Sequence, residues 1–158
     1  MASVMHTTGA KEIGDNTIDY LANTIKVMLI DSTYVINRDT DVVDGGGASD
    51  PLDGEISVTG YTGGWGGSGR KTVASKAVVA KKSGDTPANT VVFDGADITW
   101  TALGTGTTID TCSVIKEGVA NDTTSRMIAS LDVSQVTNGS DVTLQFAATD
   151  GIFKLNTA

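Results

Sequence analysis

Catalysis by a nucleophile or a general base needs a group of suitable pKa held beside the reacting atom, and this chain has one imidazole, His6, and one thiol, Cys112. His6 stands in a run of small polar residues near the N-terminus, a poor place to hold a base. Cys112 sits inside a strand-like run. Two of the 19 acidic residues could meet across a cleft as general acid and base, but no spacing singles out a pair. The segment Gly64-Trp-Gly-Gly-Ser-Gly69-Arg-Lys71-Thr72 has some of the composition of a phosphate-binding loop. That loop needs Gly-Lys-Ser/Thr opening a helix after a strand, whereas Arg70 separates Gly69 from Lys71 and the residues that follow read as strand. Asn37, Asp39, Asp41 and Asp44 offer oxygen atoms at the intervals of a calcium loop. Yet Val42 occupies the place of the required glycine and Ala48 that of the bidentate glutamate. The reading is therefore non-enzymatic, with no cofactor and no metal expected.

Contact chemistry remains. Trp65 lies within Tyr61-Thr-Gly-Gly-Trp-Gly-Gly-Ser-Gly69, where glycine makes ordering costly unless something tethers the loop. The indole is either packed locally or an anchor for a partner or a sugar, while Trp100, in Asp97-Ile-Thr-Trp-Thr101, is expected in the core. Charge is uneven: Arg70, Lys71, Lys76, Lys81 and Lys82 share a stretch without acids, and Asp39, Asp41, Asp44, Asp50, Asp53 and Glu55 crowd the preceding one. Pairing within the chain at its surface would contribute little. A basic strand facing a neighbour's acidic patch would make assembly sensitive to salt.

The elements that must position these residues are mostly strands. Apolar residues alternate at Ile25, Val27 and Leu29, at Met127, Ala129, Leu131 and Val133, and at Val142, Leu144 and Phe146, as expected when successive side chains point to opposite faces. Shorter candidates are Glu55–Thr59, Lys71–Ala80, Thr90–Phe93, Ile98–Thr101, Ile109–Lys116 and Ile152–Leu155. Tyr34–Asp44 reads as a helical turn or a long loop. Turn signals at Asp94-Gly95, Gly104-Thr105-Gly106, Lys116-Glu117-Gly118 and Asn138-Gly139 separate the strands. Many short strands so punctuated predict an all-β, antiparallel β-sandwich or barrel. At 158 residues one domain is expected, with residues 1–12 as a flexible N-terminal arm and 13–158 as a single β-sandwich domain carrying the Gly-rich loop.

A formal net charge of −8 disfavours nucleic acid and anionic membrane as partners. Residues 1–12 lack the features of a Sec-type signal, and no run approaches the ~20 apolar residues of a spanning helix. One cysteine cannot form an internal disulfide, which suits synthesis in a cytoplasm.

Four blocks carry a family likeness: Thr24-Ile-Lys-Val-Met-Leu-Ile-Asp31, Asp94-Gly-Ala-Asp-Ile-Thr-Trp-Thr101, Thr124-Ser-Arg-Met-Ile-Ala-Ser-Leu-Asp132 and Asp150-Gly-Ile-Phe-Lys-Leu155. In this order the chain resembles small proteins encoded among the structural genes of tailed bacteriophages and prophages. It differs from them at Thr62–Gly69 and Lys71–Pro87. The resemblance implies a capsid cement or decoration protein of jelly-roll type, made in the bacterial host cytoplasm and placed on the outer surface of the virion head. Its implied partners are the major capsid protein and further copies of itself as a homodimer or homotrimer. No catalytic residues come with it. Contact is expected through Ser3–Lys11 and Tyr61–Lys71, with Val4, Met5, His6, Tyr61, Trp65, Arg70, Lys71 and Lys76 as candidate contact residues. The rival expectation is a receptor- or carbohydrate-binding module of a tail or fibre, in which Trp65 and Tyr61 stack on a sugar.

Overall fold

A computed structural model describes residues 3–39, 42–47, 49–147 and 150–156. The chain begins with strand β1 (Ser3–Met5) and helix α1 (Thr7–Gly14), and continues with β2 (Ile25–Ile30), β3 (Lys71–Thr72), β4 (Ala77–Lys81) and β5 (Thr90–Asp94). Then follow β6 (Ile98–Trp100), β7 (Thr108–Lys116), a 3-10 turn at Asp122–Thr124, β8 (Arg126–Val136), β9 (Val142–Leu144) and β10 (Phe153–Asn156). The strands form a five-stranded sheet in the order β1-β8-β7-β2-β3, a three-stranded sheet β10-β5-β4 and a pair β6-β9. Every pairing of these strands is antiparallel, so the protein is mostly β with antiparallel sheets, as its alternating pattern predicts.

The N-terminal segment is a correction. Residues 1–12 read as a flexible arm because their side chains are small and polar. Instead Ser3, Val4 and Met5 pair with Leu131, Ser130 and Ala129 of β8, and α1 packs on the same strand. Gly9 makes this approach possible: a Cβ there would meet the Met127 carbonyl at 2.7 Å and the Ile128 Cα at 2.8 Å. What reads as a loose, small-residue stretch is a close-contact surface.

The core has two parts divided by β2. Ile25, Val27 and Leu29 join Phe93, Trp100, Ile109, Ile128 and Phe153 in the larger cluster, whereas Met28 and Ile30 point the other way and pack with Tyr34, Val43, Ile115 and Met127. The strand Ile-Lys-Val-Met-Leu-Ile is thus dry on both faces over most of its length, as a nearly continuous apolar run should be. The loop carrying Tyr34 and Val43 roofs its second face.

Two strand expectations change for stated reasons. In β8 the alternation of Met127 with Ala129 is interrupted by a register shift opposite Val114 and Ile115, which sends Met127 to the second cluster while Ala129 and Leu131 stay in the first. The Lys71–Ala80 run is two strands in different sheets, with Ser75 at φ 50° between them. Glu55–Thr59 forms no extended strand and makes only isolated bridges, Ile30 to Glu55 and Val58 to Tyr61.

Tyr20 ties the irregular segment before β2 to the second sheet. Its ring meets Phe93 and Phe153 edge-on at 5.3 and 5.7 Å between centroids, those two stack at 4.6 Å, and its hydroxyl donates to the Asp94 carbonyl at 2.9 Å. Among the described residues, no helix is long and apolar enough to cross a membrane.

Candidate functional site

The Gly-rich loop is built around a buried cation. Arg70, at its C-terminal end just before β3, is 3% exposed. Its Nε and Nη2 donate to Glu55 Oε1 and Oε2 at 2.8 and 2.6 Å, while Nη1 and Nη2 donate to the two carboxylate oxygens of Asp122. Glu55 comes from the loop that follows β2 and roofs the second cluster, and Asp122 from the 3-10 turn between β7 and β8. One side chain therefore joins three segments far apart in sequence.

Two acids around one base leave an excess negative charge in a dry place, and neighbouring donors offset it. The Tyr61 hydroxyl donates to Glu55 Oε1 at 2.7 Å, the Gly64 N–H to Glu55 Oε2 at 2.8 Å and the Trp65 N–H to Asp122 Oδ2 at 2.9 Å. Tyr61 in turn accepts the Leu29 N–H of β2 at 3.1 Å. Burial disfavours the guanidinium charge, but the hydrogen bonds and charges of Glu55 and Asp122 outweigh it and hold Arg70 above its usual range. Burial, reinforced by Glu55, pushes the Tyr61 phenol well above the ordinary value. Gly69 must be glycine for this packing, since a Cβ would lie 2.6 Å from the Tyr61 ring.

The same network holds Trp65. Its backbone is bound to Asp122 and its indole Nε1 donates to the Gly118 carbonyl at 2.9 Å, yet the side chain remains 45% exposed. Beside that carbonyl, Val119 is 93% exposed. A shallow cavity of about 410 Å³ opens next to the loop, lined by Leu52, Glu55, Ile56, Ser57, Tyr61 and Gly64.

The candidate contact residues are thus dispersed. Val4 and Met5 are half-buried in and beside the sheet, and His6 is fully buried with its Nε2 2.9 Å from Ser130 Oγ, which lies 3.0 Å from Ser113 Oγ. Tyr61 is 3% exposed. His6, Tyr61 and Arg70 are internal, which corrects their assignment to a contact surface: each is consumed by a polar bond inside the fold. Lys71 pairs in β3 with Val27, and the Lys76 ammonium donates to the Asn23 carbonyl and lies 5.9 Å from the Tyr20 ring centroid. Of the set, Trp65 presents the most apolar surface to solvent. Trp100, expected in the core, is fully buried, with its indole N–H donating to the Gly69 carbonyl at 2.7 Å.

Asp122 escapes sequence reading, because it lies in a polar stretch with no motif, whereas Glu55 belongs to the acidic stretch whose pairing within the chain is expected at the surface and is found buried. The one signal was Arg70 itself, a cation inside a glycine run beside an apolar strand. The acidic stretch has a local role: Asp50 Oδ2 accepts the N–H groups of Gly45 and Gly47 at 2.9 and 2.8 Å, and Asp44 Oδ1 that of Gly46 at 2.9 Å. Asp41, also of that stretch, lies outside the described residues. Cys112 sits at a second cavity of about 150 Å³ between β7 and the β6-β9 pair, with Trp100, Ile109 and Leu144, and burial pushes its thiol up to about 12.

Comparison with protein-family models, with curated proteins and with solved structures finds no match.

Proposed function

We propose that this chain is a non-enzymatic cement or decoration protein of a bacteriophage head, a jelly-roll-type β-sandwich that binds the outer surface of the capsid and stabilises contacts between its subunits. The observation that carries the reading is the placement of the four blocks that resemble phage structural proteins. They contain β2, β6 and most of β8 and β10, so that each of the three sheets is represented, and their side chains Val27, Trp100, Leu131 and Phe153 share one core. The likeness therefore follows the framework of the fold rather than scattered turns. Exposed apolar side chains on loops, Trp65 and Val119 above all, supply surface that a lattice neighbour would cover. A symmetric oligomer engaging several capsid subunits at once would multiply a weak contact.

The test is to count copies of the chain per major shell subunit in purified particles by quantitative mass spectrometry. A ratio near that of the shell subunit supports the cement role. Absence from particles overturns it, and a handful of copies moves the chain to the tail.

One observation favours a second reading, a receptor- or carbohydrate-binding module: Trp65 is exposed, its indole held by one hydrogen bond and its backbone by another, as a stacking platform should be. Tyr61 takes no part in it, being buried. This reading requires quenching of tryptophan fluorescence by a glycan, and the cement reading requires none.

A further inference from the structure

Strand β4 is an open edge. Among the described residues it pairs with β5 alone, through Ala77 to Lys81 against Asp94 to Thr90. Its central residues Val78 and Val79 point to opposite faces, yet both are about two-fifths exposed, at 41% and 40%. Neither face of the strand is fully covered, and its outer row of N–H and C=O groups is turned away from β5. At its C-terminal end stand Lys81 and Lys82, which form no ion pair among the described residues. In a chain of net charge −8 the 71–82 stretch holds four lysines and no acidic residue, although the Asp85 carboxylate accepts the Lys82 N–H.

We infer that the β4 edge is a docking strand for an extended segment of another protein, apolar at its centre and carrying carboxylates at its ends, which adds antiparallel to β4 as a fourth strand of the β10-β5-β4 sheet. The charges choose the occupant. Two copies of β4 meeting across a twofold with Val79 set against Val78 or against itself would place Lys76 opposite Lys81 or Lys82, and like charges directly opposite are destabilising. The lysines thus oppose self-pairing, as they do on many edge strands, and reward an acidic partner, so one feature supplies both the repulsion and the attraction that specificity needs. Lysines placed only to keep the edge solvated would sit along the strand, whereas here the strand interior is Ala-Val-Val-Ala. The inference deepens the assembly reading, on which it rests for where the partner resides; the chemistry of the edge is independent of it.

The experiment is titration of the whole protein with the synthetic peptide Glu-Val-Thr-Val-Thr-Val-Glu, read by hydrogen exchange at individual amides. Two control peptides are used, one with lysine in place of glutamate and one N-methylated on alternate residues. Expected are new protection confined to Ala77–Lys81 and their β5 partners, weakening with salt, and its loss with either control. Exchanging Lys81→Glu and Lys82→Glu together should lower affinity for the acidic peptide by about tenfold at low salt and raise it for the lysine peptide. These side chains lie at the strand end and make no ion pair among the described residues, so the fold should persist, which circular dichroism checks. Equal binding of both charged peptides, protection elsewhere, or no protection at β4 overturns the inference. Copy counting on particles reads the assembly role separately, so the two failures are distinguishable.

Discussion

Replacing Arg70 by Met tests whether the buried cation holds the fold together. Met keeps much of the aliphatic volume and removes four charge-assisted hydrogen bonds. The loss is not their simple sum, because burying Arg70 already carries a desolvation cost. What decides the outcome is what remains: Glu55 and Asp122, whose side chains are 2% and 6% exposed, become buried carboxylates without their counter-ion. Breaking a buried pair in this way costs about 3–5 kcal/mol, a large share of the ~5–15 kcal/mol that stabilises a domain. For a chain of this size the melting temperature should fall by roughly 6–20 °C. The assay is guanidinium unfolding at neutral pH, followed by tryptophan fluorescence and far-ultraviolet circular dichroism. The companion variant combines Arg70→Met with Glu55→Gln and Asp122→Asn. It should recover a large part of the loss, because the amide oxygens can still accept from Tyr61, Gly64 and Trp65 while the stranded charge is gone. A single-variant loss below about 1 kcal/mol, or a triple variant no more stable than the single, would refute the reasoning.

Gly9→Val should destabilise by about 1–3 kcal/mol, the scale of an overpacked contact, because its side chain would enter the β8 backbone; a thermal melt reads it, and an unchanged melt would show that α1 does not rest on β8. The Cys112 thiol should resist alkylation near neutral pH until the protein unfolds, since burial raises it from 9.0 to about 12. The fold favours the protonated thiol, so this contribution to stability is complete below pH 9.0 and is lost as pH rises toward about 12; labelling kinetics against pH check the sign. Trp65→Ala should cost only about 1 kcal/mol, because the half-exposed indole gives up one hydrogen bond and limited burial. Any glycan-dependent quenching should vanish with it, and quenching that persists would point to Trp100 and against the stacking platform.

How much was legible follows from the range of each interaction. Strands whose period is set by local burial, Thr90–Asp94, Ile98–Trp100 and Thr108–Lys116, could be read within a residue or two. The bulge that redirects Met127 could not, because it is a property of the β7-β8 pair and leaves no mark on either strand alone. Residues 1–12 misled for a related reason: small residues signal freedom when nothing is near, and close packing when a backbone lies 2.7 Å from a would-be Cβ. Sequence alone does not separate these cases. Trp100 was legible as core because an indole on an alternating strand has few other places to go. Arg70 was read by its charge and placed outside, where cations usually are; pairing with the acidic stretch that holds Glu55 was expected only at the surface, and Asp122, 52 residues away, left no signal.

That buried cation also changes what the glycine run means. A loop of this composition loses much entropy on ordering, so the expectation was a mobile segment with one aromatic anchor. Three of its residues instead donate to the acids that Arg70 gathers: Tyr61 and Gly64 to Glu55, and Trp65 to Asp122. The glycines then serve proximity, letting the backbone close on Glu55 and the Tyr61 ring. The anchor is the polar network beneath the loop, and Trp65 is what the network presents. An exposed aromatic side chain on a segment already ordered binds without the further cost of ordering it, which is the same physical demand whether its occupant is a capsid neighbour or a sugar. Arg70→Met should therefore weaken any contact made through Trp65 even where the protein remains folded. Affinity that survives the change would place the contact elsewhere, with the β4 edge the first surface to examine.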